Sequence, residues 1–345
     1  MVKAQSKFTD DLSVRAYYHY GFVIPEYQYF TYLVKDNVRS FELNLSKQTI
    51  GKNYWQQLYK YPEYGISIFY STLGNDDVFG REIAFYPYFI THIISKKKFS
   101  LDNQIGMGLS YVTKRFDLDN NYQDIGVGSK MNIHFNFKLG GKYQLQKKVF
   151  LNSGIAFDHF SNGNLQEPNL GINYVTFYGG IGYLIGDQSE KISHQVEPHK
   201  PGNEFNVIYS FGAKHSRALQ SNLYFTSSVS LELRRKLFRK FHMAIGPDLF
   251  YDSSAKTDMQ NVAVYKTIYN YRTGIHISQE FVYDKLSLVL QEGVYLLLVD
   301  KVNYNVMYNR GIIRYKISDQ LFINISMKSH LHILDYPELG LGFYW

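Results

Sequence analysis

Residues 100–111 read SLDNQIGMGLSY, and their alternation decides the fold. Successive side chains of a β-strand point to opposite faces. Leu101, Asn103, Ile105, Met107, Leu109 and Tyr111 therefore share one face, and Ser100, Asp102, Gln104, Gly106, Gly108 and Ser110 share the other. One apolar face opposed to a face of small and polar residues is the pattern of a strand with lipid outside and polar groups inside. Residues 338–345, ELGLGFYW, repeat it: Leu339, Leu341, Phe343 and Trp345 point one way, Glu338, Gly340, Gly342 and Tyr344 the other.

Working outward, the same alternation predicts about 16 strands, each close to the ~10 residues that a tilted strand needs to span a bilayer. They lie near 12–24, 39–47, 63–72, 80–94, 99–113, 129–144, 147–160, 171–186, 203–217, 220–237, 240–253, 268–283, 286–297, 302–316, 319–331 and 338–345. Short turns are expected at Ser95–Lys98, Leu145–Gln146, Phe238–Arg239, Asp284–Lys285 and Ser318, on the side that holds both termini. Loops 25–38, 114–128 and 254–267 fall on the opposite, outer side. The segment 48–62 is long for a turn, and Trp55, Leu58 and Tyr59 at helical spacing suggest a short interfacial helix. A terminal strand that ends on an aromatic residue is similar to the C-terminal assembly signal of outer-membrane proteins.

Composition agrees. With 32 Tyr and 25 Phe but only 8 Pro among 345 residues, the chain favours strands over helices. No apolar run is long enough for a spanning helix. A membrane protein without such a helix must be a closed barrel, because lipid cannot satisfy an open sheet edge. A mean hydropathy of −0.28 is the average of one apolar and one polar face. The chain has no Cys, which excludes a disulfide framework and a Cys-based metal site. Val2 to Gln5 read as the remnant of a removed signal. The net charge of +7 suits anionic headgroups and an ordinary solvated surface equally well.

Residues 187–202, DQSEKISHQVEPHKPG, read as a linker between two halves, 1–186 and 203–345. The halves are alike: KYQLQKKVFLN (142–152) parallels RYKISDQLFIN (314–324), and FSLDNQIGMGL (99–109) parallels LSLVLQEGVYL (286–296). An old duplication and the common look of all barrel strands both account for this. A single chain normally closes once. That favours one antiparallel transmembrane β-barrel of about 14–16 strands, with two tandem eight-stranded barrels as the alternative.

The run FDHFSNGNLQEPNLGIN (157–173) carries the chemistry. His159 and Ser161 are two apart on a strand, hence on one face with Cα atoms about 6.5–7 Å apart, within reach for a base and a nucleophile. They share the parity of Leu151, Ile155 and Phe157, so the pair faces lipid, and Asp158 faces inward. An outward His–Ser pair at the outer end of a strand points to a lipid substrate. His-x-Ser-Asn closing a seventh strand, followed by Asn-x-Gly leading into an eighth, resembles the lipid A 3-O-deacylase family of outer-membrane enzymes. The match is sharp over 157–173 and extends over 1–186. The resemblance implies Ser161 as nucleophile, His159 as general base, Asn162 in the oxyanion hole, and Asn169 and Gly171 shaping the loop. It places the family's acidic third member at Asn173, where an amide can orient the imidazole but cannot stabilise its positive charge. Glu167, in the loop, is the alternative acid.

Other candidates are weaker. His330 and His332 share a strand face, without a carboxylate or third His to complete a metal site. His194 and His199 lie in the linker. Lys96–Lys98 and the group Arg234, Arg235, Lys236, Arg239 and Lys240 flank inner turns and suit headgroups better than nucleic acid. The expectation is an integral protein of a Gram-negative outer membrane, an esterase that needs no cofactor or metal and acts on lipid A or lipopolysaccharide. A non-catalytic barrel, serving as a pore or as an assembly partner of another outer-membrane protein, is the alternative.

Overall fold

In a computed structural model of the protein, residues 100–111 lie on strand β5 (Phe99–Val112). Met107, Leu109 and Tyr111 are exposed on its outer wall, while Ser100, Gln104 and Ser110 are buried inside. The structure describes residues 8–25, 28–193, 198–215, 222–259, 262–331 and 333–345. Val2 to Gln5, His194 and His332 lie outside them.

The first barrel is formed by β1 (Leu12–Ile24), β2 (Val38–Gln48), β3 (Glu63–Thr72), β4 (Arg81–Ser95), β5, β6 (Met131–Gln144), β7 (Val149–Ser161) and β8 (Ile172–Leu184), in that order. It closes by antiparallel pairing of β1 with β8, Tyr17 lying opposite Gly180. The second is formed by β9 (Gly202–His215), β10 (Leu223–Phe238), β11 (Phe241–Asp252), β12 (Tyr271–Tyr283), β13 (Leu286–Tyr295), β14 (Met307–Lys316), β15 (Leu321–His330) and β16 (Ile333–Tyr344). It closes through β16 and β9. No helix among the described residues is long and apolar enough to cross a membrane.

Closure is therefore by the alternative: two eight-stranded barrels, and not the single wide one that was favoured. The inward charges supply a physical reason. In the first barrel Glu42 of β2 accepts from Lys138 of β6 at 2.6 and 2.7 Å and from His19 of β1 at 3.0 Å. In the second, Arg314 of β14 reaches Glu232 of β10 at 3.1 Å. An eight-stranded interior is just wide enough for side chains to fill, so these partners meet across it. A buried charge left without its partner is costly.

Two boundaries also differ from expectation. β14 begins at Met307 and not near 302, and β16 begins at Ile333 and not at 338. Asp335 read as a loop residue. Inside the barrel it is neutralised by Lys328 at 2.8 Å and Lys214 at 3.0 Å, so the strand continues through it. The helix expected in 48–62 is present as α2 (Tyr54–Leu58). It follows α1 (Gln28–Leu33), which lies in the first outer loop. The first part of the linker is tied to the inner mouth of the first barrel. Asp11 N donates to Asp187 O at 2.9 Å, and Ile192 N donates to Ile50 O at 2.7 Å. The parallel segments fall at equivalent places: 142–152 and 314–324 each span the turn between a sixth and a seventh strand, and 99–109 and 286–296 each lie on a fifth.

What positions the site is the outer end of the first barrel. There an apolar cluster that includes Val23, Phe30, Leu33, Phe69, Phe79, Val127, Phe160 and Ile172 fills the interior beneath the loops.

Candidate active site

β7 ends at Ser161 and β8 begins at Ile172, so the residues of interest sit where two paired strands emerge at the outer end. Phe160 and Ile172 point inward into the apolar cluster and are paired in register. Their burial clamps both strand ends and forces the neighbours outward, because parity alternates. His159 lies directly opposite Asn173, and both are half-buried on the outer wall. Asp158 is fully buried inside, where Oδ1 accepts from Asn136 at 2.7 Å, and so takes no part.

The three outward residues form a line. His159 Nε2 and Ser161 Oγ are 3.1 Å apart, and His159 Nδ1 and Asn173 Oδ1 are 2.7 Å apart. An amide oxygen can only accept, so this contact puts the imidazole proton on Nδ1. Nε2 is then left with a lone pair directed at the serine hydroxyl. Both ring nitrogens are engaged within the trio. Glu167 lies in the 162–171 loop, and it is Asn173 that takes Nδ1.

The loop that follows is held by its own side chains. Asn162 N donates to Asn169 Oδ1 at 2.8 Å, which ties the start of the loop to its end. Asn169 thus shapes the loop, and the backbone N–H of Asn162 is engaged. An oxyanion donor from position 162 would have to be the side-chain amide. Gly171 has φ +74°, and a Cβ there would stand 2.7 Å from His159 Cε1 and 3.4 Å from Ser161 Cβ. Only glycine accepts both that backbone conformation and that approach.

The sequence reading missed the loop before β6. Gly171 N donates to Gly126 O at 2.8 Å, and Leu170 N lies 3.4 Å from Ile125 O, so residues 125 and 126 support the segment that carries Gly171. Asp124 anchors this support. It is fully buried, and its Oδ1 accepts from Gly126 N at 3.1 Å. Burial away from water pushes its carboxyl up to about 7. No periodicity or motif marks 121–127, so nothing in the sequence pointed to it.

Elsewhere, His330 points into the second barrel beside Tyr295 OH at 2.9 Å, and His199 Nε2 is 3.2 Å from Lys236 O. Among the described residues no group of three or more His, Asp or Glu is arranged to hold a metal ion. At the place in β15 equivalent to the end of β7 the chain reads Ser329-His330-Leu331, with no outward His–Ser pair.

Residues 39–181 match the family model of lipid A 3-O-deacylase (PagL), and residues 203–345 match that of the acyloxyacyl hydrolase C-terminal domain. No curated protein matches the chain. Among solved structures, the outer membrane enzyme PagL is 16% identical over 48% of this chain and 97% of its own, with a TM-score of 0.35. Neisserial surface protein A is 11% identical over 51% of this chain and 97% of its own, with a TM-score of 0.32. A Rhodopseudomonas blastica porin variant is 8% identical over 97% of this chain and 100% of its own, with a TM-score of 0.18.

Proposed function

From a chain whose first barrel belongs to the lipid A 3-O-deacylase family and whose second is an acyloxyacyl hydrolase C-terminal domain, we propose an outer-membrane esterase that removes an ester-linked acyl chain from lipid A. The observation that carries this reading is the outward line Ser161–His159–Asn173 on the wall of a barrel. A nucleophile on that face meets an ester only if the ester is presented by lipid. A side-chain-filled interior gives no such access to a water-soluble substrate.

In the proposed reaction Ser161 Oγ attacks the ester carbonyl carbon as His159 Nε2 takes the hydroxyl proton. The tetrahedral oxyanion is met by the Asn162 side-chain amide and nearby backbone N–H groups. Collapse breaks the ester C–O bond, and the sugar oxygen leaves with the proton from His159. Water, deprotonated by His159, then attacks the acyl-serine carbonyl and releases the fatty acid and free Ser161. Asn173 holds the imidazole with its proton on Nδ1 throughout. No step calls for a metal or an organic cofactor.

The test is fatty-acid release from purified lipid A by the full-length folded protein, with mass spectrometry of the product. Ser161→Ala and His159→Asn should each abolish release while the barrel stays folded. Release that survives Ser161→Ala would overturn the assignment of the nucleophile. No release from wild type in the presence of lipid would favour the non-catalytic barrel.

A further inference from the structure

At the end of the first barrel opposite Ser161, the outer wall carries a girdle of aromatic residues. Tyr64, Phe99, Tyr143 and Tyr183 are all exposed there. Tyr64 lies opposite Phe89, and Phe99 opposite Tyr143. Such girdles mark the level of the headgroups. From Ser161 back to Val149 β7 covers about 40 Å of tilted strand, enough to put the girdle on the far side of the ~25 Å apolar band.

On the water side of this girdle two segments carry positive charge and no carboxylate of their own, with Asp10 and Asp11 lining a cavity beside Lys52. The first is the connection 49–62, with Lys52 and Lys60, and the second is the turn between β4 and β5, with Lys96, Lys97 and Lys98. All five lysines are exposed, and none has a salt bridge among the described residues. Neither segment contains an Asp or Glu. The nearest carboxylates in sequence, Glu63 and Asp102, point inward, Glu63 to Arg15 and to Lys142 at 2.8 Å and Asp102 to His92 at 2.7 Å. The two segments are neighbours in space. Lys60 Nζ is 3.4 Å from Ile93 O, at the end of β4. Trp55 of α2 lies against Phe89 on the outer wall, with ring centroids 6.0 Å apart. An amphipathic indole at girdle level beside exposed ammonium groups is the arrangement that holds a lipid by both its headgroup and its glycerol region.

We propose that α2 and the Lys96–Lys98 turn form a binding site for an anionic glycerophospholipid, such as phosphatidylglycerol, in the leaflet opposite the one that presents the ester. Its phosphodiester would sit among Lys60, Lys96, Lys97 and Lys98, and its glycerol and upper acyl chains would lie against Trp55 and Phe89. The inference rests on the barrel spanning a membrane and not on the chemistry of Ser161. An inactive protein could therefore carry the site, and an active one could lack it.

The chain has two tryptophans, so Trp345→Phe leaves Trp55 as the sole fluorophore. The folded Trp345→Phe protein is reconstituted in phosphatidylcholine vesicles doped with a brominated phosphatidylglycerol, or with the same fraction of brominated phosphatidylcholine. Bromine quenches an adjacent indole. Half-quenching should need about five-fold less of the anionic lipid, the preference that one lysine near an anionic surface corresponds to. That preference should disappear at high salt, and in the variant with Lys96, Lys97 and Lys98 changed to Gln. Folding of the variant is checked by heat-dependent gel mobility. If the variant does not fold, salt dependence in the unaltered lysine set decides. Equal quenching by the two lipids overturns the proposal. So does loss of the preference on adding inorganic phosphate at constant ionic strength, since the occupant would then be an anion from the aqueous phase.

Discussion

The amide at position 173 sets the ceiling on the proposed chemistry. Its oxygen already stands 2.7 Å from His159 Nδ1, so the tautomer is the productive one. What an amide lacks is the negative charge that stabilises imidazolium when the serine proton arrives. Losing the carboxylate of a Ser-His-Asp triad costs a factor of ~10⁴ where the amide also imposes the wrong tautomer. Here only the charge is missing, so Asn173→Asp should raise kcat for fatty-acid release on the order of ten-fold. Asp is the isosteric change; Glu adds a methylene and would have to displace the ring. Glu167→Gln should leave the rate close to wild type, and a collapse there would make Glu167 the working acid. The shared face of His159 and Ser161 was legible because spacing by two on a strand is a local fact, whereas Asn173 entered through the family resemblance with Glu167 as the alternative. The engaged N–H of Asn162 was not legible, since its partner Asn169 meets it only when the loop folds.

Among the elements, the loop 113–130 supports the site from outside the two strands that carry it. Asp124 is held inside it with a carboxyl pushed up to about 7 from an ordinary value near 3.8. Between those two values the folded chain keeps a proton that the unfolded chain has released. Stability contributed by Asp124 is therefore present at low pH and is lost as pH rises through that window. Asp124→Asn should flatten the fall in stability between about pH 4 and 7 and slow hydrogen exchange at Gly171 N–H above pH 7. Urea midpoints of the folded protein in micelles, measured across that range, check it. An unchanged pH slope would mean that Asp124 ionises without cost. Strand ends were legible to within a few residues, because lipid on one side and polar groups on the other impose a period of two. β14 and β16 were the exceptions. Asp335 and Pro337 signal a loop locally, and only Lys214 and Lys328 on other strands make Asp335 acceptable inside.

At the scale of the molecule, the second barrel is filled. Arg310 lies between Asp248 at 3.4 Å and Glu338 at 3.2 Å. Arg272 lies between Asp252 and Asp300, both at 3.1 Å. Charges paired across an eight-stranded interior leave no lumen of the kind that wide barrels use for transport. Purified protein in a planar bilayer should accordingly give no steady conductance steps, and porin-like steps would restore the pore reading. The sequence by itself determined that the chain is a set of outward-apolar antiparallel strands, and that one strand end carries His159 and Ser161 on its outer face. Those properties are local, since alternation and spacing act over a few residues. The tertiary structure alone decided that the strands close twice. The backbone groups of β8 can pair with β1 or with β9 equally well, and the alternation of residues is the same in either case. It also decided which buried charges meet, and that Gly126 supports Gly171. Those partners lie on different strands and loops, and only the closed wall of a narrow barrel brings them within a hydrogen bond.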